Sequence, residues 1–392
     1  MDGENLNPAD NFSLTKSGIF YRLLVRLNLA GTSDRDHLIR VIAICGTVWL
    51  PLLVLSACQG LAFGSKVEIS FIKDFANQAR FLIVIPILVF AEPSVDYRLQ
   101  ELSNFFFKAG ILNQSDEVEY SKIKQFIIRL TEPLLADLVI ILIIIGNLII
   151  RWSQRPHESS YWLIVPGTSQ ESLSWAGLWY LYISMPVFQY LCIRWIWRWI
   201  LWLIYFKKIS GLRLKLNPAH SDRAGGLGFL GVPPGPFLSI TFALSILFSA
   251  AIGEKLFFFH DRLHQYYVVL GGFAIIAIAL NVLPLLVFIK LMFIQRRKGI
   301  FQYSALIQEH HKEFDQKWIY QKNPEPILGT SDPSSMIDIN SSFECVMKMR
   351  IIPFDLKLIV SSLLVVILPM GLLMLFEYKW SDLIKQVLKM LF

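Results

Sequence analysis

The stretch LNPAHSDRAGGLGFLG, residues 216–231, gathers the residue types that chemistry at a membrane surface would use. His220 can move a proton, Asp222 can share that proton or hold a metal, and Arg223 can clamp a phosphate or a carboxylate. Gly225, Gly226, Gly228 and Gly231, with Asn217 and Pro218, forbid a stable helix through the stretch. Glycines of this kind let a backbone approach a ligand and turn its amides outward. The spacing matches no standard phosphate-loop or dinucleotide pattern. A plain juxtamembrane turn, with Arg223 reaching to lipid headgroups, is therefore the competing reading.

A second set of chemical groups lies inside apolar sequence. Asp137 and Glu132 stand at one end of a hydrophobic run, Glu92 and Asp96 at the end of another, and Arg194 and Arg198 one helical turn apart at the end of a third. Ionisable groups at membrane depth turn into a bundle, pair, and by default mark a functional path. A vestibule lined by Asp137, Arg194, Arg198 and the His220–Arg223 loop is the expected site. Buried ion pairs that only fix helix register are the alternative. The tryptophans of RWIWRWILW flank both arginines and by themselves read as an interfacial aromatic belt. His260 and His264 have the i, i+4 separation at which two imidazoles on a helix share a metal, with only Glu254 or Asp261 near as a third ligand. A histidine pair at an interface is preferred there, so no metal is expected. His310 and His311 are adjacent and face different directions on a helix.

The elements that must position these groups follow from composition. Of 392 residues 54% are hydrophobic and 17% charged, with a mean hydropathy of +0.50, which excludes an ordinary soluble domain. Crossing about 30 Å of hydrocarbon takes roughly 20 helical residues. Charge-free runs of that order occur at 41–65, 172–193, 224–253, 263–289 and 358–376. Two weaker runs, 81–95 with Glu92 and 131–150 with Glu132 and Asp137, bring the expectation to seven spans. With the N-terminus inside, 27 of the 37 Lys and Arg fall on the inner side, and every loop alternates as basic-inside retention requires. Omitting either weak span would destroy the alternation. The net charge of +7 is then explained by inner loops facing anionic lipid, and argues nothing for nucleic acid. Cys45, Cys58, Cys192 and Cys345 show no metal spacing and read as structural.

Four segments follow. Residues 1–37 form a cytosolic leader without the short apolar core of a cleavable signal, and Gly18–Leu29 reads as a basic amphipathic helix. Residues 38–295 hold spans one to six, including a cytosolic helical hairpin at 96–130 whose second helix starts at Ser115 as N-cap. Residues 296–355 supply a cytosolic docking helix, Arg296–Asn323, with Ile300, Tyr303, Ile307, Phe314 and Trp318 on one face, and a loop over 324–342. Residues 356–392 are the last span and a short external tail. Asn281 and Pro284 predict a kink in span six, whose freed carbonyls neighbouring helices must satisfy. No internal repeat of the kind that marks many transporters is evident.

Two stretches together are familiar: NPAHSDRAGGLGFLG and, two spans later, SSFECVMKMRIIPFD. They resemble a family of uncharacterised bacterial multi-pass inner-membrane proteins, with a HPD-type glycine-rich loop and a Ser-Phe-Glu, Met-Arg, Pro-Phe segment before the last span. The matching residues are His220, Asp222, Gly225, Gly226, Leu227, Ser342, Phe343, Glu344, Met349, Arg350, Pro353 and Phe354. Ser221 stands where that family tends to have proline, which loosens the loop. The resemblance covers mainly the second half and implies no activity.

The fold expected is an all-α polytopic membrane bundle in a bacterial inner membrane. The leading function is transport or permeation of a small anionic solute, with Asp137, Arg194 and Arg198 along the path and His220, Asp222, Arg223, Gly225 and Gly226 at its inner mouth. A membrane-embedded enzyme acting on a lipid phosphate or nucleotide, with His220 as acid or base, is the first alternative. A sensor or scaffold that receives a partner on its cytosolic helices is the second. Whether the chain is an enzyme, which cofactor it takes, and whether it forms homo-oligomers stay open at this level. The partners expected are the bilayer and a small anionic ligand, with no nucleic acid. Three outcomes separate the readings: transport needs polar residues through spans five and six, catalysis needs one closed polar pocket, and a scaffold leaves His220 and Asp222 exposed or spent on local caps.

Overall fold

The computed structural model describes residues 33–64, 66–131, 134–153, 161–165, 172–232, 237–320 and 329–377, with isolated positions 13, 14, 22, 25, 26 and 31. The amphipathic leader segment 18–29, apart from positions 22, 25 and 26, and Glu132 and residues 378–392 all lie outside them. Among the described residues the regular structure is helical, apart from isolated bridges joining Ile69 to Tyr161 and Ile164 to Leu173. Six helices are long and apolar enough to cross a membrane, and a shorter apolar helix of 16 residues covers Leu356–Gly371. The helices are α1 (Asp34–Cys58), α2 (Phe75–Lys108), α3 (Glu117–Thr131) and α4 (Leu134–Ser153). They continue as α5 (Trp175–Ile209), α6 (Leu238–Phe258), α7 (Leu263–Tyr320), α8 (Asp332–Met347) and α9 (Leu356–Gly371).

Local chemistry sets the ends. Ser33 Oγ accepts from the Asp36 amide while the Asp36 carboxylate accepts from the Ser33 amide, a reciprocal cap on the orphan amides of α1. At the hairpin the corresponding cap is Asn113 with Asp116, not Ser115. The turn closes two residues earlier than expected, because Gly110, at φ 69°, ends α2 in the left-handed conformation. The hairpin of α2 and α3 is fastened to α5 by buried hydroxyls: Tyr120 Oη lies 2.8 Å from Tyr205 Oη and 2.7 Å from Ser103 Oγ.

An internal repeat, not evident from the residues alone, appears in the backbone. α2 and α5 start with one short α-turn, Phe75–Ala79 or Trp175–Trp179, then widen into a five-residue π-turn at Arg80–Val84 or Tyr180–Ser184. Both return to α-helix with proline at its second position, Pro86 or Pro186. The offset is 100 residues throughout, and buried positions correspond: Ala76 with Ala176, Phe106 with Phe206, Leu112 with Leu212. At this offset α1 also falls on α4. Few identities survive between the copies, so the repeat is carried by cap, π-turn and proline positions rather than by side-chain type. π-turns inside helices occur frequently at functional sites.

Three further expectations are corrected. The charge-free run 224–253 is not helical from its start: α6 begins at Leu238, because Gly225 and Gly226 at φ 67° and 96° cannot continue a right-handed helix. The docking helix is not separate; it is the continuation of span six, and α7 runs 58 residues from Leu263 to Tyr320. Pro284 is accommodated as a tight turn over Leu283–Phe288, and Trp199 Nε1 donates to the Leu280 carbonyl at 2.7 Å, the group that Pro284 deprives of its helical donor. The supposed loop at 324–342 is helical from Asp332 onward, with Pro333 in the first turn where its missing amide is harmless.

The main apolar core runs between α1, α2 and α5, centred on Val48, Leu52, Ile85, Leu88, Trp195 and Phe206. The outer faces stay apolar and exposed, as with Leu138, Val139 and Leu142 on α4 and Ile275 and Ile276 on α7, the pattern that a hydrocarbon solvent permits.

Candidate functional site

The glycine stretch folds as a self-capped loop. The Asp222 carboxylate accepts from the Ala224 amide at 2.8 Å and the Gly226 amide at 3.1 Å through Oδ1, and from the Gly228 amide at 2.8 Å through Oδ2. Burial works against ionisation of Asp222, but those three amides and His220 outweigh it and hold the carboxyl below the ordinary 3.8. His220 Nδ1 lies 2.9 Å from Asp222 Oδ1 and 3.2 Å from the Asp222 amide. It accepts from the amide when neutral and donates to the carboxylate when protonated. The imidazole and Arg223 are exposed, and Arg223 holds the left-handed φ of 54°.

The second familiar stretch closes onto this loop. The Arg350 guanidinium donates to the Asp222 and Phe354 carbonyls, each at 2.9 Å, and pairs with Asp355, while the Arg350 amide donates to the Arg223 carbonyl at 2.7 Å. Gly231 is needed for this approach: a Cβ there would stand 2.5 Å from Phe354 Cα. Gly299 of α7 likewise lets Pro218 close in, where a Cβ would meet its ring at 2.6 Å. Lys215 donates its amide to the Ile111 carbonyl at 2.9 Å. The loop thus ties the hairpin turn, α7 and the segment leading into α9 into one clasp.

Arg194, Arg198 and Asp137 point into the bundle and are 5%, 3% and 3% exposed. Arg194 donates to Asp137 Oδ1 at 3.0 Å, and Tyr190 shares that oxygen at 2.9 Å. Arg198 reaches Glu92 Oε1 at 2.7 Å, and Arg40 reaches Oε2 of the same carboxylate at 3.2 Å. Each copy of the repeat therefore carries one ion pair between its own two helices, Arg40 with Glu92 and Asp137 with Arg194, in opposite polarity. Arg198 to Glu92 joins the copies. Asp96, further along α2, accepts from Ser13 Oγ at 2.5 Å and from the Leu14 amide at 3.1 Å.

The expected vestibule is thus two separate sites. Asp137, Arg194 and Arg198 come together with Glu92 and Arg40; His220, Asp222, Arg223, Gly225 and Gly226 come together with Arg350; and the partners of Asp222 are all in the clasp. His260 and His264 do not share a helix: His260 stands in a turn at φ 55° and His264 in a short turn after it. Among the described residues no three His, Cys, Asp or Glu side chains assemble as a metal site.

Sequence reasoning missed Arg40, although its place beside the first charge-free run was a usable signal. It also missed a buried group at the opposite end of the bundle. Asp74, fully buried, accepts from the Asn77 amide at 2.9 Å, the Asn77 side chain at 2.5 Å and Trp162 Nε1 at 2.9 Å. Arg80, at the first π-turn, donates to Asn77 and to Tyr180 Oη, at the second, with its guanidinium 5.4 Å from the Phe188 ring. The two π-turns bring Arg80 to Tyr180, and the bridge between Ile69 and Tyr161 brings Trp162 beside Asp74, contacts that residue spacing alone does not announce. Comparison with protein-family models, with curated proteins and with solved structures found no match to this chain.

Proposed function

We propose that the protein is a scaffold or sensor of a bacterial inner membrane, whose clasped inner end holds a helical stalk for a cytosolic partner. The basic-inside bias supports an internal N-terminus, with the α2–α3 hairpin, the clasp and the stalk in the cytosol and α9 as a seventh, short crossing. One observation carries the reading: the carboxylate of Asp222 and the guanidinium of Arg350 are spent on backbone groups and on each other's segments, so the loop fastens rather than binds. What it fastens is α7, which extends about 45 Å past Lys290 at 1.5 Å per residue. α8 packs along it, and Phe301, Ile319, Tyr320 and Ile337 stand 65–77% exposed on the pair. Exposed apolar groups on a projecting element mark an interaction surface. A photoreactive amino acid placed at Phe301 or Ile337 in living cells is expected to give one discrete protein adduct that disappears when Gly231→Val opens the clasp. Labelling that is diffuse, or unaffected by the clasp, would end the scaffold reading.

Transport of a small anion is the second reading, favoured by Arg80. This cation at membrane depth is hydrogen-bonded to neutral groups, and no carboxylate among the described residues pairs with it. The apolar character of α6 and of α7 up to Lys290 counts against a path there; a path between the two repeat copies, from Arg198 to Arg80, would cross Leu88, Ile85 and Phe188. Anion flux into proteoliposomes that falls at least tenfold in Arg80→Gln would replace the scaffold reading with this one.

A further inference from the structure

The span that α4 makes is the least covered of the six long apolar helices: 13% of its apolar window lies inside the fold, against 22–50% in the others. Val139, Leu142 and Ile143, on one face of α4, are 44–57% exposed. Gly146 continues that face at helical spacing. A Cβ at Gly146 would meet nothing within 4 Å, so the backbone there is open to close approach by a second helix. Apolar side chains alone need only lipid around them. Asn147, exposed beside Gly146, needs more.

Asn147 lies four residues before Arg151, with the exposed Ile149 and Ile150 between them. Side chains of a helix lean toward its N-terminus, so this carboxamide turns away from the nearer boundary and back along about 20 Å of apolar helix. Hydrocarbon offers it neither donor nor acceptor. Among the described residues the Asn147 side chain has no hydrogen-bond partner. Gln78 and Asn281, amides of other spans, are met within the bundle: Gln78 accepts from Trp49 Nε1 at 2.7 Å, and Asn281 donates to Thr241 Oγ1 at 2.9 Å and to the Ala277 carbonyl at 3.0 Å. A bond from Asn147 back to a carbonyl of its own helix would use one N–H and leave the other and the oxygen unmet.

A carboxamide carries donor and acceptor side by side, so its complement is another carboxamide in reversed orientation. Two copies inserted the same way round pair about an axis along the membrane normal, which sets their α4 helices parallel and each residue at the depth of its counterpart. Asn147 then meets Asn147 at the depth where each lacks a partner, and Gly146 meets Gly146 where the helices touch. We propose that the protein is a homodimer in the membrane, joined along the α4 face of Val139, Leu142, Ile143 and Gly146, with the two Asn147 carboxamides hydrogen-bonded to each other at its edge. The pairing goes beyond the scaffold reading and holds whatever the stalk binds; it sets two stalks on one side of the membrane.

The test uses the full chain in lipid vesicles over a range of protein-to-lipid ratios, with the dimer fraction read by single-molecule photobleaching. In Asn147→Leu the midpoint of association should move to a protein density at least about fivefold higher, the worth of one interhelical hydrogen bond. Gly146→Ile should abolish dimers, and Gly272→Ile, at an equally open glycine on α7, should leave the midpoint unchanged. In detergent dilute enough to hold monomers, Asn147→Leu should not lower the thermal midpoint, which separates lost association from lost folding. In cells, a photoreactive residue at Val139 should give an adduct of twice 45.1 kDa that carries both tags when two differently tagged copies are co-expressed. Chains monomeric at every density would leave lipid alone on this face and overturn the proposal. So would a midpoint indifferent to Asn147→Leu or to Gly146→Ile, a lowered thermal midpoint in monomeric Asn147→Leu, or an adduct joining one tagged copy to a different protein.

Discussion

The bundle interior and the clasp both use charged side chains, and they satisfy them in opposite ways. In the bundle every charge meets another side chain: Arg40 and Arg198 meet Glu92, and Arg194 meets Asp137. In the clasp most of the partners are backbone: Asp222 takes three amides, with His220 beside it, and Arg350 two carbonyls, with Asp355 beside it. The reason is the state of the main chain. Within α1, α2, α4 and α5 the amides and carbonyls are already used by the helices, so a buried charge there turns to side chains or to backbone outside the helices, as Asp96 does to Leu14 and Arg40 to Gly31. Through the glycine loop the main chain is free and a single carboxylate can gather it. Mutual pairing makes the bundle charges interdependent; backbone pairing makes the clasp depend on local conformation.

The contrast can be broken in order of size. Glu92→Leu leaves both Arg40 and Arg198 without that carboxylate in a dry bundle, and thermal unfolding in detergent should register a loss of about 3–5 kcal/mol. A loss below 1 kcal/mol would mean that the two arginines are not held by Glu92. Next, Gly231→Ala drives a methyl into the Phe354 backbone. About 1–3 kcal/mol should be lost, with hydrogen exchange rising at residues 216–231 and 346–355 and not in α2 or α5. Spread of that exchange into the bundle would show that the two regions unfold as one.

Asp222→Asn removes the charge but keeps one oxygen, for a loss of about 1–2 kcal/mol. The same carboxylate sets a pH dependence. Its folded pKa lies below the ordinary 3.8, so its contribution is fully present above the unfolded value and is lost as pH falls below about 4. Protection of the 224, 226 and 228 amides against hydrogen exchange, taken relative to an unstructured chain at the same pH, should therefore fall on acidification through that range in wild type and not in Asp222→Asn. The smallest effect belongs to His220→Ala, an exposed side chain expected to change stability by less than about 0.5 kcal/mol. If that substitution abolished the cellular function while leaving stability unchanged, the loop would be a site of chemistry and not a fastener.

Much of the architecture was legible because hydrocarbon imposes a length and a composition on whatever crosses it. The weak spans with Glu92 and Asp137 emerged as apolar helices at those positions, and the kink at Pro284 found its neighbour in Trp199. Boundaries were less legible wherever glycine or proline decided them. The run from Ala224 looked like membrane because hydropathy counts side chains, whereas Gly225 and Gly226 act through φ. Proline at 333 looked like loop, yet it opens α8. Of the expected site, the inward turn of Asp137, Arg194 and Arg198 followed from the cost of charge in lipid. Their separation from Asp222 did not, because charge pattern reports depth along the membrane and not position around it.

What the residues determined by themselves is the character of each segment: which stretches are long and apolar enough to be helices in hydrocarbon, which charges stand at the ends of those stretches, and where glycine forbids a helix. These are local properties, set by transfer free energy and by backbone sterics. Only the tertiary structure decided partners. It joined loop 216–231 to Arg350, paired Glu92 with two arginines from different helices, and aligned two helices 100 residues apart at their π-turns. Partner choice depends on the rotation of each helix about its axis, and that rotation is set by packing against neighbours, which no single stretch of chain contains.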